Sequence, residues 1–410
     1  MTIGACVALA AILPRSAGGQ ANQFGGQDRA DAAARMIVLG VQQGIGSLPP
    51  TAGQSFTYEF DRSVDTWVES AHLGPTVLRV AETVGEGKLG LRVAASYFEL
   101  VETFAPIPYV VSRPPAQPIG VAKLGLRADA HVGVLSVAAN YGLTSGLEIT
   151  INVPVVAVDA QATQAFTTRT ATLSDPPKTA PLSGTPIVND DVAAALRALD
   201  EHLAPGGSLS RREESFSALG FDFSDGTHAG LGRVGIGAKY VLYAERVQLA
   251  AVPEFFVPSP NADEFAGSDS AAILPRLVGA VDVNGSLKLH LDAGYDYDFD
   301  DDQLRRFVWN TGASLAFERA TLDAGVGGSK YNRGIKWTPD SAPYQDTLGN
   351  VGAITALGDN QLGDNFVDVL LGCKIRLSER SVLGGAVTVP VNDEGFRPAA
   401  TGTIAVELSW

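Results

Sequence analysis

From Phe56 to the C-terminus, short segments alternate apolar and polar residues, and the connections between them alternate short and long. Leu287, Leu289, Leu291, Ala293 and Tyr295 interleave with Lys288, His290 and Asp292. Leu147, Ile149, Ile151, Val153 and Val155 interleave with Glu148, Thr150 and Asn152, and Phe56, Tyr58 and Phe60 with Ser55, Thr57 and Glu59. A period of two sends successive side chains to opposite faces, so each segment is a two-faced strand. Short connections fall near 85–87, 144–146, 244–245, 284–285, 318–320 and 378–381, and Asn284-Gly285 suits a tight two-residue hairpin. Long ones fall near 61–75, 103–127, 159–230, 258–270, 298–303, 331–363 and 392–399. Tight turns at one rim and long loops at the other are the arrangement of a bacterial outer-membrane barrel, and a soluble sandwich has no reason to sort its loops this way. The reading is all-β: a transmembrane antiparallel β-barrel of about 14 strands, within a range of about 12–16.

The chain ends "TGTIAVELSW", with Ile404, Val406, Leu408 and Trp410 on one face and Thr403, Glu407 and Ser409 on the other. An aromatic closing an alternating strand fits an interfacial girdle and an assembly signal at Trp410, read by the barrel assembly machinery through the last strand. That places the short turns on the periplasmic side.

The stretch "GLGRVGIGAKY" contains Gly230, Gly232 and Gly235 in the G-x-G-x-x-G spacing of dinucleotide sites. That motif has meaning only where a helix follows it. Here Val234, Ile236, Ala238, Tyr240 and Leu242 alternate with Gly235, Gly237 and Lys239, so the glycines lie in a strand that turns small residues into the lumen.

Barrel alternation assigns the polar face to the interior, because a charge facing lipid at the midplane costs about 2–4 kcal/mol. That face carries Arg233, Lys239, Arg276, Lys288, His290, Asp292, Asp323, Lys374 and Glu407, with Glu254, Asp282, Asn310, Asp368 and Arg376. These residues either meet a solute or form interior ion pairs, and Lys288, His290 and Asp292 on one strand are the foremost solute candidates. No catalytic residue, metal site or cofactor is expected. The five histidines have no ligand spacing, G-x-S-x-G is absent, and the only cysteines are Cys6 and Cys373. The run "DYDFDDDQ" reads as a solvated outside loop, since it lacks the glycine and distal glutamate of a calcium loop. A net charge of -15 excludes a nucleic-acid partner. The expected partners are outer-membrane lipid and a small solute.

The start, "MTIGACVALAAILPRSAGGQANQF", has an apolar stretch from Ile3 to Leu13 followed by small residues. Residues 1–21 read as a secretory signal, without the usual early Lys or Arg; a buried N-terminal segment is the alternative. Residues 22–52 follow as an N-terminal periplasmic segment, and 53–410 form the barrel. Within the long outside loop 159–230, residues 188–204 have the capping and apolar stripe of a helix: either a loop helix folded onto its neighbours or a constriction over the pore.

The stretches "LGPTVLRVAETVGEGKLGLRVAASYFEL", "YGLTSGLEITINVPVV", "GLGRVGIGAKYVL", "PRLVGAVDVNGSLKLHLDAGYDYDF" and "SVLGGAVTVPVNDEGFRP" resemble the outer-membrane transporter family of the meta-cleavage pathway of phenol degradation, itself similar to long-chain fatty acid transporter barrels. The resemblance spans most of residues 75–410. It implies passive uptake of hydrophobic or aromatic molecules across the outer membrane of a Gram-negative-type bacterium, and by likeness to the fatty acid transporters a hatch formed by the segment before the first strand. It transfers no site residues. The alternatives from the residues themselves are a general porin for polar solutes and a plugged structural or surface-binding barrel.

Overall fold

The computed structural model describes residues 40–46, 48, 58–61, 66–69, 73–113, 117–170, 209–215, 227–259, 268, 270–334, 336–337, 342–345, 351–356, 360–361, 363–392, 394 and 397–410. Among these, twelve strands close into one antiparallel barrel: β1 (Leu89–Arg113), β2 (Gln117–Thr144), β3 (Leu147–Thr170), β4 (Val234–Ala244), β5 (Val247–Val257), β6 (Ala272–Asp282), β7 (Leu287–Asp298), β8 (Arg306–Ala316), β9 (Ala320–Tyr331), β10 (Asn365–Ser378), β11 (Ser381–Pro390) and β12 (Thr401–Ser409). Each strand pairs with its chain neighbours, and β12 returns to β1 from Thr401↔Phe98 to Ser409↔Gly90. Leu89 and Trp410 exchange both backbone bonds at the seam, at 3.0 and 2.9 Å.

Strands β4 to β9 have 11 or 12 residues each, the length that crosses a hydrocarbon core when tilted. Their alternation sets the two surfaces. In β7, Lys288, His290 and Asp292 are buried inside while Leu289 and Leu291 point out, and in β4 Gly235 and Lys239 turn inward while Ile236 and Tyr240 turn outward. Leu249, Leu277, Leu322, Leu371 and Ile404 continue this exposed apolar belt around the circumference. A band so apolar is stable only against lipid. The protein is a membrane-spanning barrel of the outer-membrane type.

The barrel has twelve strands, at the low end of the expected range of about 12–16, because the two segments that the connections near 61–75 and 85–87 delimit lie elsewhere. Tyr58–Asp61 pairs with Thr66–Glu69 in a separate hairpin. Residues 73–85 run through the lumen, where nearly every successive side chain is buried and several backbone N–H groups bond to wall carboxylates instead of a ladder. The glycines near 85–87 therefore join this luminal segment to β1; they are not a turn between barrel strands.

The connection expected over 103–127 is also corrected. β1 and β2 have 25 and 28 residues and stay paired to Arg113↔Gln117. This is far more than a membrane requires, at about 3.3 Å per residue. Together with β3, which reaches Thr170, they extend beyond the long-loop rim as a sheet widened by Val351–Ala356 and Ala342–Gln345 beyond β1, and by Leu209–Ser215 on β3. The expected helix at 188–204 and the signal at 1–21 lie outside the described residues. The Asn284-Gly285 turn is wider than two residues: β6 ends at Asp282 and β7 starts at Leu287, with the Asn284 side chain accepting from the Ser286 and Leu287 N–H groups at 3.2 and 2.9 Å.

Candidate functional site

The lumen is occupied by the chain's own N-terminal part. Residues 73–88 form an arch across the short-turn end of the barrel, from the β9–β10 wall to the β2–β3 wall. Its apolar residues supply much of the molecule's core: Val77 and Leu78 pack with Leu370 and Ala386, Ala81 with Ala250, Val252 and Val278, and Leu73 with Val382. Leu78 sits over Gly312 and Gly325. A Cβ there would lie 2.8 and 3.0 Å from its methyl carbons, so only glycine leaves the notch it fills. Each fully buried Leu or Val contributes about 1.5–3 kcal/mol.

Polar clasps hold the arch at both feet and in the middle. The Asp323 carboxylate accepts the Thr76 and Val77 N–H groups at 3.0 and 2.9 Å, and Lys374 donates to the Leu73 carbonyl at 3.3 Å. Lys374 also pairs with Glu407 at 2.8 Å, and Glu407 with Arg92 at 3.3 Å. At the other foot Glu148 accepts the Val84 N–H at 2.8 Å, and Lys239 donates to the Glu82 carbonyl at 2.8 Å. Lys288 pairs with the Glu82 carboxylate at 2.8 Å. Burial raises the Glu82 carboxyl, but the Lys288 ammonium and its hydrogen bond outweigh that and hold it at about 2.

Above the arch a cavity of about 250 Å³ occupies the lumen. Its floor is Val77 and Arg79, and the short helix at residues 40–46 borders it through Gln42, Ile45 and Gly46. The Gly46 carbonyl accepts from Arg306 at 3.2 Å, and Gly44 lies against the Phe98 ring, so this helix too is inside the barrel. Val134, Phe256, Leu274 and Val308 supply apolar wall. A chain of ion pairs supplies the polar wall: Arg79–Glu254 at 3.0 Å, Glu254–Arg276 at 3.6 Å, Arg276–Asp292 at 2.9 Å and Arg306–Asp296 at 3.3 Å.

The structure separates the charges that the sequence placed together. Lys288, His290 and Asp292 share a strand face but serve different partners: Lys288 the arch, His290 the Ser314 hydroxyl at 2.7 Å, and Asp292 Arg276 and Asn310. Arg233 pairs with Asp298 at 3.0 Å, beneath a break where Thr227–Leu231 ends and β4 begins. At that break the Gly232 N–H bonds to the Pro154 carbonyl at 2.8 Å, and a strand follows rather than a helix. Asp368 pairs with Arg397. The acidic run is not wholly a solvated loop. Asp296 and Asp298 point inward, and Asp298 is buried, accepting from Arg233 and from Ser270 at 2.6 Å. Sequence reasoning missed Arg79, Glu82 and Asn152, because the first two lie before the barrel strands in a segment whose place in the lumen no local pattern marks, and the third is uncharged.

The family described as "Putative MetA-pathway of phenol degradation" matches residues 150–387, more than half of the chain. The chain belongs to this family. No curated protein matches it in sequence. Among solved structures, an outer membrane channel from Pseudomonas putida F1 is 12% identical at a TM-score of 0.39, over 80% of this chain and 98% of that one. A Pseudomonas aeruginosa FadL homologue is 9% identical at 0.34, over 90% and 97%, and the CymD monoaromatic hydrocarbon channel is 11% identical at 0.33, over 80% and 88%. Membership in the phenol-degradation family covers β4 to β10 in full, which contribute most of the cavity's charged wall.

Proposed function

We propose that this family member is an outer-membrane channel, not an enzyme, for passive uptake of small hydrophobic or aromatic molecules. The observation that carries the reading is the cavity above the arch. At about 250 Å³ it exceeds the ~150 Å³ that admits benzene in a protein interior, and it has apolar walls whose neighbouring charges are tied to one another. Family membership supports a role in handling phenolic compounds. The arch is the element that has to move for passage, and residues 22–52, whose 40–46 stretch borders the cavity, act with it as the hatch. The strand ending at Trp410 is the segment offered to the barrel assembly machinery, and residues 1–21 direct export. The arch also favours a second reading, a barrel permanently closed. Initial uptake rates into proteoliposomes, for single-ring aromatics against sugars and amino acids of similar size, separate the two. Faster entry of the aromatics supports the channel, faster entry of the polar solutes makes it a general porin, and no entry of either makes it a closed barrel.

A further inference from the structure

Resting on the channel reading, in which the arch moves, we infer that Arg276 is the residue that lets the arch go. Its guanidinium holds one N–H in reserve for Glu254 and takes that carboxylate over when Arg79 leaves with the arch.

Three wall residues and one arch residue make the device. Glu254 on β5, Arg276 on β6 and Asp292 on β7 stand on adjacent strands, and Arg79 reaches them from the arch. With the arch docked, Arg79 Nη1 donates to Glu254 Oε1 at 3.3 Å and Nη2 to Oε2 at 3.0 Å. Arg276 Nη1 donates to Asp292 Oδ1 at 2.9 Å, and Asn310 holds both Asp292 oxygens at 3.1 Å. Arg276 Nε is buried and has no hydrogen-bond partner among the described residues. It stands 3.6 Å from Glu254 Oε2, the oxygen that Arg79 Nη2 occupies, within reach of an ion pair but too far for a hydrogen bond. Glycines on the neighbouring strands leave both wall side chains room to lie this way. A Cβ at Gly294 would stand 2.5 Å from Arg276 Cγ, and one at Gly237 would stand 3.3 Å from Glu254 Cγ.

Two guanidiniums share one carboxylate only while the arch is docked, and they repel each other across it. In a wall without Arg276, withdrawal of Arg79 would strand a buried carboxylate, the most costly way to break a buried pair. With Arg276 in place, the contact shortens from 3.6 Å to the ~2.8 Å of a charge-assisted hydrogen bond. Glu254 is then opposed by a cation in both states, and Arg79 exchanges it for water. Arg276 therefore lowers the cost of opening, although in the docked structure it has the look of a support for the Arg79–Glu254 pair. The two roles predict effects of opposite sign.

The test is the initial rate of maleimide labelling of Ala81→Cys, in a Cys373→Ser background, in the whole barrel reconstituted in lipid vesicles. Ala81 is fully buried in the docked arch, so labelling reports undocking. Arg276→Met is expected to slow labelling at least about tenfold, because undocking then strands Glu254. Glu254→Gln is expected to speed labelling, and adding Arg276→Met to Glu254→Gln is expected to slow it far less, because no carboxylate remains to be stranded. Unchanged or faster labelling in Arg276→Met overturns the inference and leaves the channel reading standing, since a mere support loosens the arch when removed. Equal slowing with and without the Glu254 carboxylate also overturns it. No labelling in either the parental barrel or Glu254→Gln shows an arch that does not move; the channel reading fails and the inference falls with it. If Arg276→Met alone fails to assemble, Arg276→Met with Asp292→Asn, which removes both charges of that wall pair, is held to the same outcomes.

Discussion

Replacing Asp323 by alanine removes the clasp at the first foot of the arch. Its two oxygens accept the Thr76 and Val77 N–H groups at 3.0 and 2.9 Å, and both donors are buried. Hydrogen bonds to a charged group contribute about 1.5–3 kcal/mol each, so the docked arch loses about 3–6 kcal/mol. At about 1.4 kcal/mol per decade this lowers the ratio of docked to undocked arch by about 100-fold to 10,000-fold. Asp323→Asn keeps one acceptor oxygen and should give about half the free-energy effect. Two readouts follow the arch: open probability of single channels in planar bilayers, and maleimide labelling of an Ala81→Cys variant, since Ala81 is fully buried in the docked arch. Both are expected to rise in Asp323→Ala, while heat-sensitive gel mobility shows that the barrel still forms. Labelling and open probability equal to those of the parent would refute the argument that this carboxylate holds the arch.

Three further outcomes are expected. Gly325→Val should loosen the arch by about 1–3 kcal/mol, because even its Cβ would stand 3.0 Å from a Leu78 methyl and 2.6 Å from the Thr311 carbonyl, and the same labelling assay reads the change. The Glu82–Lys288 pair stabilises the arch wherever Glu82 is ionised when docked. With its carboxyl lowered to about 2 from about 4.5, its contribution is complete above about 4.5 and fades as the pH falls toward 2; channel activity should be flat from about pH 5 to 8, and a transition near neutrality attributable to Glu82 would count against this pair. Ile236→Arg places a charge on the lipid face and should cost about 2–4 kcal/mol near the midplane, read by urea titration in lipid vesicles, whereas Gly235→Ala meets the Phe256 ring at 3.3 Å as its nearest neighbour and should assemble normally.

Most of the barrel was legible because period-two alternation is a property of sequence alone. The inward positions of Lys239, Lys288, Asp323, Lys374 and Glu407 follow directly from it. The arch was not legible, because nothing local in the stretch from Val77 to Val84 reveals that a finished barrel surrounds it. Its distinguishing contacts, such as Thr76 to Asp323 and Glu82 to Lys288, join residues more than 200 positions apart. The length of β1 and β2 was likewise hidden, since Pro106, Pro108 and Pro118, residues disfavoured inside a sheet, fall in strands that pair through to Arg113↔Gln117. The cavity's chemistry lay further still from view. It depends on which inward charges pair across neighbouring strands, and strand pairing distributes Lys288, His290 and Asp292 among three partners.

The central claim is that small ring compounds cross this barrel through its lumen and that the arch controls the passage. Leu78→Cys with Gly325→Cys, in a Cys373→Ser background, links the arch to the wall at the notch where Leu78 now sits. The decisive measurement is the initial uptake rate of a labelled single-ring aromatic into proteoliposomes holding this variant, oxidised and then reduced. The account predicts uptake near that of protein-free vesicles when oxidised and, on reduction, uptake at or above the parental rate, because a Cβ at 325 and the loss of Leu78 also loosen the arch. Equal uptake in both states, with the disulfide shown to have formed, would contradict it.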